Sequence, residues 1–292
     1  MQLRTDLALE LAETIDQAGG GISVSEYDKG GAKISRIKLT SDDSAQSIGK
    51  PKGTYITITV PPFSDDAELG DELLMAVKDE FTSLLPKEGL ILVVGIGNTS
   101  VTPDALGPKA AAGILATRHI SGELARSAGL ENLRPVAVLS PGVLGQTGIE
   151  TGDIIAGIVK NIEPAAVIAI DALASRKLSR LGCTIQIADS GINPGAGVGN
   201  KRREISLSTL GVPVISVGVP TVVDATTLVF DLLGEDGARQ NKELIEPRGA
   251  GMMVTPREID ILIERAARLV SRAVNCALQP GIPPEDLLVL AG

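Results

Sequence analysis

The chain contains no tryptophan, two tyrosines and three phenylalanines among its 292 residues. At 2% aromatics, Ala, Val, Ile and Leu must build the core, and hydrophobic residues at 43% suffice for one. Small and β-branched core residues favour α/β layering over an aromatic-rich β-sandwich. Histidine occurs once, as His119. One imidazole excludes a histidine-rich metal site. Its place late in a helical pattern, away from the strand ends, argues against a Ser-His-Asp or Cys-His triad. The two cysteines, Cys183 and Cys276, are far apart and show no CxxC spacing. They predict neither a disulfide framework nor a zinc site, and read as buried free thiols. Positive charge is in deficit, with a net charge of −9. Direct nucleic-acid binding needs a basic face and is not expected. No apolar stretch approaches the roughly 18 residues of a membrane span, and "MQLRTDLALE" lacks a basic region followed by an apolar run. No membrane association and a cytoplasmic location are therefore expected.

What is present is an alternation of patterns. Residues 4–18 show helical periodicity, opened by Thr5 or Asp6 as a cap. "GAKISRIKLT" and "TYITITV" alternate as strands and predict a small antiparallel extension within residues 20–62. Residues 70–86 read as a helix. Continuous apolar strands follow at 90–96, 135–140, 165–171, 183–188 and 212–218, with helical patterns at about 104–119, 147–161, 174–180 and 222–234. Such strands alternating with helices predict a mostly parallel sheet covered on both faces, phosphorylase- or hydrolase-like. Residues 1–292 are expected to form one α/β domain. Residues 235–251 are polar and Gly-rich and predict a flexible loop. "VTPREIDILIERAARLVSRAVNCAL" reads as a long helix capped by Thr255, with Pro256 and Glu258 completing the start signal.

Ligands of such sheets sit beyond the carboxyl ends of the strands. "GIGN" at 95–98 lacks the third glycine of a dinucleotide fingerprint, since position 100 is Ser100, and the next strand ends without an acid. A tight turn that uses Gly95 and Gly97 for backbone freedom is the better reading. "TPD" starts a helix, so Asp104 is a cap, with Thr102 as the alternative, or an acid held at the sheet edge. Asp171 ends a strongly apolar strand, where a carboxylate is costly unless it is paired or functional. Asp104 and Asp171 end strands that should lie close together. Two carboxylates sharing a site cannot both ionise easily, which supplies an acid and a base.

The segment "DSGINPGAGVGNKRREIS" is either a substrate-binding loop or a surface loop. Its backbone N–H groups can cradle a carbonyl or an anion, and Lys201, Arg202 and Arg203 can steer acidic groups. Thr147 and Glu150 read as a capping box, and Asp224 as a helix cap.

Seven blocks in order, "LRTDLA", "VVGIGNTSVTPDALGPKA", "SPGVLGQTGIETGDII", "VIAIDALASR", "IQIADSGINPGAGVGNKRREIS", "PVISVGVPTVVDATT" and "MMVTPREID", resemble the germination proteases of spore-forming bacteria. They span nearly the whole chain. The resemblance implies an endopeptidase that degrades small acid-soluble spore proteins during germination, in the forespore and spore core. It also implies a homotetramer made as a zymogen, without a cofactor, and a core like that of hydrogenase maturation proteases. By motif match the catalytic pair is Asp104 and Asp171. Substrate-binding residues are expected at Gly195, Gly197, Asn200, Lys201 and Arg202, and pro-segment cleavage at Asp6-Leu7. Only Met1, Gln2 and Leu3 precede "RTDLA", so cleavage there removes little. Position 193 is Asn where some relatives carry His. The alternative chemistry is a metal-dependent endopeptidase of the hydrogenase-maturation type.

Overall fold

A computed structural model describes residues 4–13, 21–65, 70–120, 132–199, 202–240 and 251–291. Among the described residues, one sheet of nine strands runs through the molecule. Its strands are β1 (Ile22–Lys29), β2 (Ala32–Leu39), β3 (Gly53–Thr59), β4 (Ile91–Gly95), β5 (Val136–Leu139), β6 (Ala166–Ser175), β7 (Thr184–Ala188), β8 (Val214–Asp224) and β9 (Met253–Val254). The order is β1-β2-β3-β7-β8-β6-β4-β5, with β9 added to β8.

The expectation of a mostly parallel sheet needs correction. The pairs β4–β5, β4–β6 and β6–β8 are parallel. The pairs β1–β2, β2–β3, β3–β7, β7–β8 and β8–β9 are antiparallel. The sheet is therefore mixed. The chain turns back between Ser175 and Thr184 through a single 3-10 turn, Leu178–Arg180. That is too short for the crossover a parallel strand requires. The strands predicted within 20–62 are antiparallel, but they continue the main sheet through β3 and β7.

Alternation along the buried strands sends side chains to two layers. Ile91 and Val93 of β4, with Ile168 and Ile170 of β6, join the larger core. There they meet α3 (Asp71–Leu84), α4 (Leu106–Ala112) and α9 (Ile259–Leu278). Leu92, Val94, Val167 and Ala169 face the other way, onto Ile155 and Val159 of α6 (Thr151–Ile162). A third cluster packs Ala8 of α1 (Ala8–Ala12) and Ile48 of α2 (Asp42–Ile48) on Ile37, Leu39, Tyr55 and Ala188. Between α4 and α6 along the chain lies the one-turn α5 (Leu144–Thr147), and α7 (Leu207–Leu210), α8 (Ala225–Gln240) and α10 (Pro284–Ala291) complete the helices used below. No helix among the described residues is long and apolar enough to cross a membrane.

Several local expectations also change. The helix read at 174–180 is absent, because β6 continues to Ser175 against β8. The pattern at 104–119 yields only α4, and His119 lies beyond it. Within 4–18 the helix is α1; residues 14–20 lie outside the described residues. Of the loop read at 235–251, residues up to Gln240 are helical, with a break at Gly234, and 241–250 lie outside the described residues. The helix α9 starts at Ile259, and Thr255 Oγ1 instead donates to the Thr221 carbonyl at 2.8 Å. Thr147 ends α5 and Glu150 precedes α6 with no side-chain cap, so they form no capping box. Both cysteines are free; Cys276 is buried and Cys183 only partly so.

Candidate active site

The loop after β4 is built by close packing. A Cβ on Gly95 would sit 2.2 Å from the Gly107 carbonyl oxygen, and one on Gly97 2.0 Å from that of Asp104. Gly97 has φ +130, a conformation that favours glycine. "GIGN" is thus the tight turn expected of it. The Asn98 N–H donates to the Asp104 carbonyl at 3.1 Å. Thr221 Oγ1 on β8 donates to the Pro103 carbonyl at 2.7 Å. Residues Thr102–Asp104 form a single 3-10 turn in which neither Thr102 nor Asp104 makes a side-chain cap. The Asp104 carboxylate lines the cleft, with a backbone hydrogen bond from Asn98.

Asp171 lies on β6, 5% exposed, opposite Gly218 of β8. The Ile96 N–H donates to the neighbouring Ile170 carbonyl at 2.8 Å, so the end of β4 and the Asp171 position are tied together. Asp171 Oδ1 accepts from the Ala172 N–H at 2.9 Å. Burial pushes the Asp171 pKa well above the usual carboxylate range, and the charges of Asp104 and then Asp6 push it further. Burial also lifts Asp104, to about 6. Both acids line one cleft of about 1210 Å³. The two acids converge as expected, but neither ends its strand: Asp171 lies inside β6, which runs on to Ser175 against β8, and Asp104 lies in the turn beyond β4.

The cleft holds a segment of the chain's own N-terminal region, which sequence reasoning did not place there. Asp6 donates its N–H to the Ala174 carbonyl at 2.9 Å, and its Oδ2 accepts from the Ala174 N–H at 2.9 Å. The Gly197 N–H also bonds this carboxylate. A Cβ at Gly197 would lie 2.2 Å from Asp6 Oδ2, so only glycine allows this approach. Burial raises the Asp6 pKa despite the nearby Lys50 charge. Leu7 is fully buried beside it. Thr5 does not cap α1 through its N-cap position, which is Leu7; its Oγ1 accepts the Leu7 N–H at 3.0 Å. Arg4 pairs with Asp224 at 3.2 Å, while Asp224 Oδ1 caps α8 at the Thr227 N–H, as its sequence context predicts.

Gly195 and Arg202 line the cleft with Asn193, and Asn193 Oδ1 is buried without a partner among the described residues. Arg202 pairs with Glu150 at 3.7 Å and Arg203 with Asp153, so both cations already have acidic partners within the chain. Asn200 and Lys201 lie outside the described residues. Two further cleft residues, Lys50 and Gln186, carried no sequence signal. Lys50 follows α2 in an unremarkable polar turn, and Gln186 is the single long polar residue in an apolar strand. Among the described residues no cluster of three or more His, Cys, Asp or Glu side chains is arranged to hold a metal ion.

Two acids and an N-terminal segment of the chain line one cleft, and comparisons with known proteins place the chain among peptidases. The model of the germination protease family matches residues 4–234. The chain belongs to the germination protease family. The germination protease of Caldanaerobacter subterraneus subsp. tengcongensis is 41% identical over 314 residues, covering 98% of this chain and 97% of the relative. That of Clostridium acetobutylicum is 38% identical, covering 98% of each. That of Priestia megaterium is 37% identical, covering 97% and 95%. Among solved structures, a NiFe hydrogenase maturation protease from Thermococcus kodakarensis KOD1 aligns at 16% identity. It covers 67% of this chain and 98% of its own, with a TM-score of 0.37.

Proposed function

We propose that this protease initiates the degradation of small acid-soluble spore proteins during germination, using Asp104 and Asp171 to activate water. The observation that carries this reading is that Asp171 inside β6 and Asp104 in the turn beyond the adjacent β4, each with a raised pKa, line one cleft. At neutral pH, Asp104 with its value near 6 is mostly ionised and is the base. Asp171, raised well above the usual carboxylate range by burial and then by the Asp104 charge, is assigned as the acid. Asp104 takes a proton from water as it adds to the peptide carbonyl. Asp171 gives its proton to the leaving nitrogen.

Arg4, Thr5 and Asp6 line the cleft and Leu7 is buried beside it, which supports a zymogen cut between Asp6 and Leu7. Gly195, Gly197, Asn200, Lys201 and Arg202 are assigned to the substrate-binding loop. The working form is a homotetramer in the forespore and spore core, with spore proteins as substrates and no direct contact with nucleic acid. Among the described residues no three His, Cys, Asp or Glu side chains are grouped to hold a metal ion, so the aspartate pair is the reading put forward and the metal-dependent alternative is decided by the EDTA arm below.

The test is incubation of the purified protein with a small acid-soluble spore protein, with and without EDTA. Cleavage unaffected by EDTA, and lost in both Asp104→Asn and Asp171→Asn, is expected. Full activity in either variant ends the assignment. Loss of cleavage in EDTA, restored by added metal, moves the reaction to the metal-dependent alternative.

A further inference from the structure

The Asp6 carbonyl oxygen receives two side-chain donors. Lys50 Nζ donates to it at 3.0 Å, and Gln186 Nε2 donates to it at 3.0 Å. Gln186 Oε1 meanwhile accepts the Ala8 N–H at 2.7 Å. One carboxamide therefore grips the main chain on both sides of the Asp6–Leu7 bond. On the other side of the segment, the Asp6 N–H pairs with the Ala174 carbonyl of β6. The residues on each side of this bond are thus held by their backbone, in the extended form Leu7 adopts at φ −81 and ψ 120.

A peptide carbonyl in regular secondary structure ordinarily accepts from one neutral backbone N–H, although its oxygen has two lone pairs. An ammonium and a carboxamide on one carbonyl oxygen form a site suited to more negative charge than a resting amide carries. Lys50 is also costly where it stands. Burial lowers its pKa, and the charge of Asp6 is what opposes that fall. Gln186 is buried on β7, the strand paired with β3 and β8, so its carboxamide is aimed by the sheet rather than by a loop.

We propose that Lys50 and Gln186 are further catalytic residues that hold the oxygen of the scissile carbonyl, Lys50 through Nζ and Gln186 through Nε2. The inference rests on the reading of Asp104 and Asp171 as the water-activating pair. Water adds its oxygen to the carbonyl carbon, and the carbonyl π pair moves onto oxygen. Asp104 accepts the water proton. The resulting alkoxide stays hydrogen-bonded to Lys50 and Gln186. It then re-forms the C=O bond as the C–N bond breaks, and nitrogen takes the Asp171 proton. The products are a carboxylic acid and an amine, with no other reactant needed. In the resting protein the Asp6–Leu7 peptide occupies this clamp; when it leaves, an incoming substrate carbonyl replaces it.

The experiment measures kcat and KM of the full chain on a purified small acid-soluble spore protein, together with thermal midpoints. The variants are Lys50→Met, which keeps the aliphatic stem, and Gln186→Leu, which keeps the volume. Because Gln186 is buried, Gln186→Glu, of the same shape but without the Nε2 donor, is measured alongside. A fall in kcat of about 100-fold or more per lost donor is expected, with KM changed less than about threefold and thermal midpoints retained. A folded Lys50→Met, or a folded variant at Gln186, that keeps wild-type kcat overturns the clamp. So does a defect confined to KM. If wild type cleaves and Asp171→Asn does not, active clamp variants sink the clamp alone. If wild type does not cleave, the parent reading falls and the clamp falls with it.

Discussion

The Asp6 N–H donates to the Ala174 carbonyl at 2.9 Å, and the Ala174 N–H donates back to Asp6 Oδ2 at the same distance. This reciprocal pair fixes a third carboxylate within the electrostatic reach of Asp171. Burial, Asp104 and Asp6 all raise the Asp171 pKa, in that order. Removing either neighbouring charge is expected to lower the Asp171 titration midpoint, more in Asp104→Asn than in Asp6→Asn. Carboxyl carbon shifts in NMR report it directly. An unchanged midpoint in Asp104→Asn means that the two acids do not share a field, and the proposed pair dissolves.

The same shifts fix the direction of the pH dependence of stability. Asp6, Asp104 and Asp171 all have folded values above the ordinary 3.8. Between 3.8 and the folded values, the unfolded chain has released protons that the folded chain still binds. Stability from these groups is therefore full below 3.8 and is lost as pH rises through the folded values, that of Asp104 being about 6. Asp171→Asn removes the largest cost of ionisation in burial. It is expected to match wild type near pH 4 and to exceed it at pH 8, read as urea midpoints. A variant less stable than wild type at pH 8 contradicts this account of the Asp171 environment.

Gly97→Ala tests whether the turn, and not merely the acid, matters. Its φ of +130 strains any side chain, and a Cβ would meet the Asp104 carbonyl oxygen at 2.0 Å. The Asp104 backbone has to move, and destabilisation of about 2 kcal/mol or more is expected. Cleavage should fall further than the loss of folded protein explains, because Asp104 is displaced. Wild-type kcat per folded molecule removes the turn from the mechanism. A Gly145→Ala control, at a position where a Cβ meets nothing within 4 Å, is expected to be close to neutral.

The buried strands were legible because runs such as "ILVVG" and "AVIAID" admit little else, and Asp171 stood out as a charge inside one of them. Strand direction was not legible. "TIQIA" reads the same whether its neighbours run parallel or antiparallel, and only the short return after Ser175 decides it. The helical pattern read at 174–180 begins on Ala174 and Ser175, which are instead the end of β6. Pairing with Val222 and Val223 of β8 overrides that pattern. Lys50 and Gln186 carried no local signal, since what they do depends on β3, β6 and β7 bringing residues 6, 50, 174 and 186 together. The pairings Arg202–Glu150 and Arg203–Asp153 were hidden for the same reason.

Gln186 also sets a sequence preference that no side-chain pocket would give. Its Oε1 accepts the N–H of Ala8, the second residue after the Asp6–Leu7 bond. A substrate bound in the same way must offer an N–H there. Proline lacks one, and leaves Oε1 buried without its donor, an arrangement that costs about 1–3 kcal/mol. Spore-protein substrates with proline at the second position after the cut are therefore expected to be cleaved about 10-fold to 100-fold less efficiently in kcat/KM. N-methylalanine, which keeps the methyl side chain of alanine and removes only the N–H, should show a similar loss. In Gln186→Leu the difference between alanine and N-methylalanine should largely disappear, because no acceptor waits for the N–H. If wild type cleaves the alanine and N-methylalanine substrates equally well, Gln186 does not read the substrate backbone.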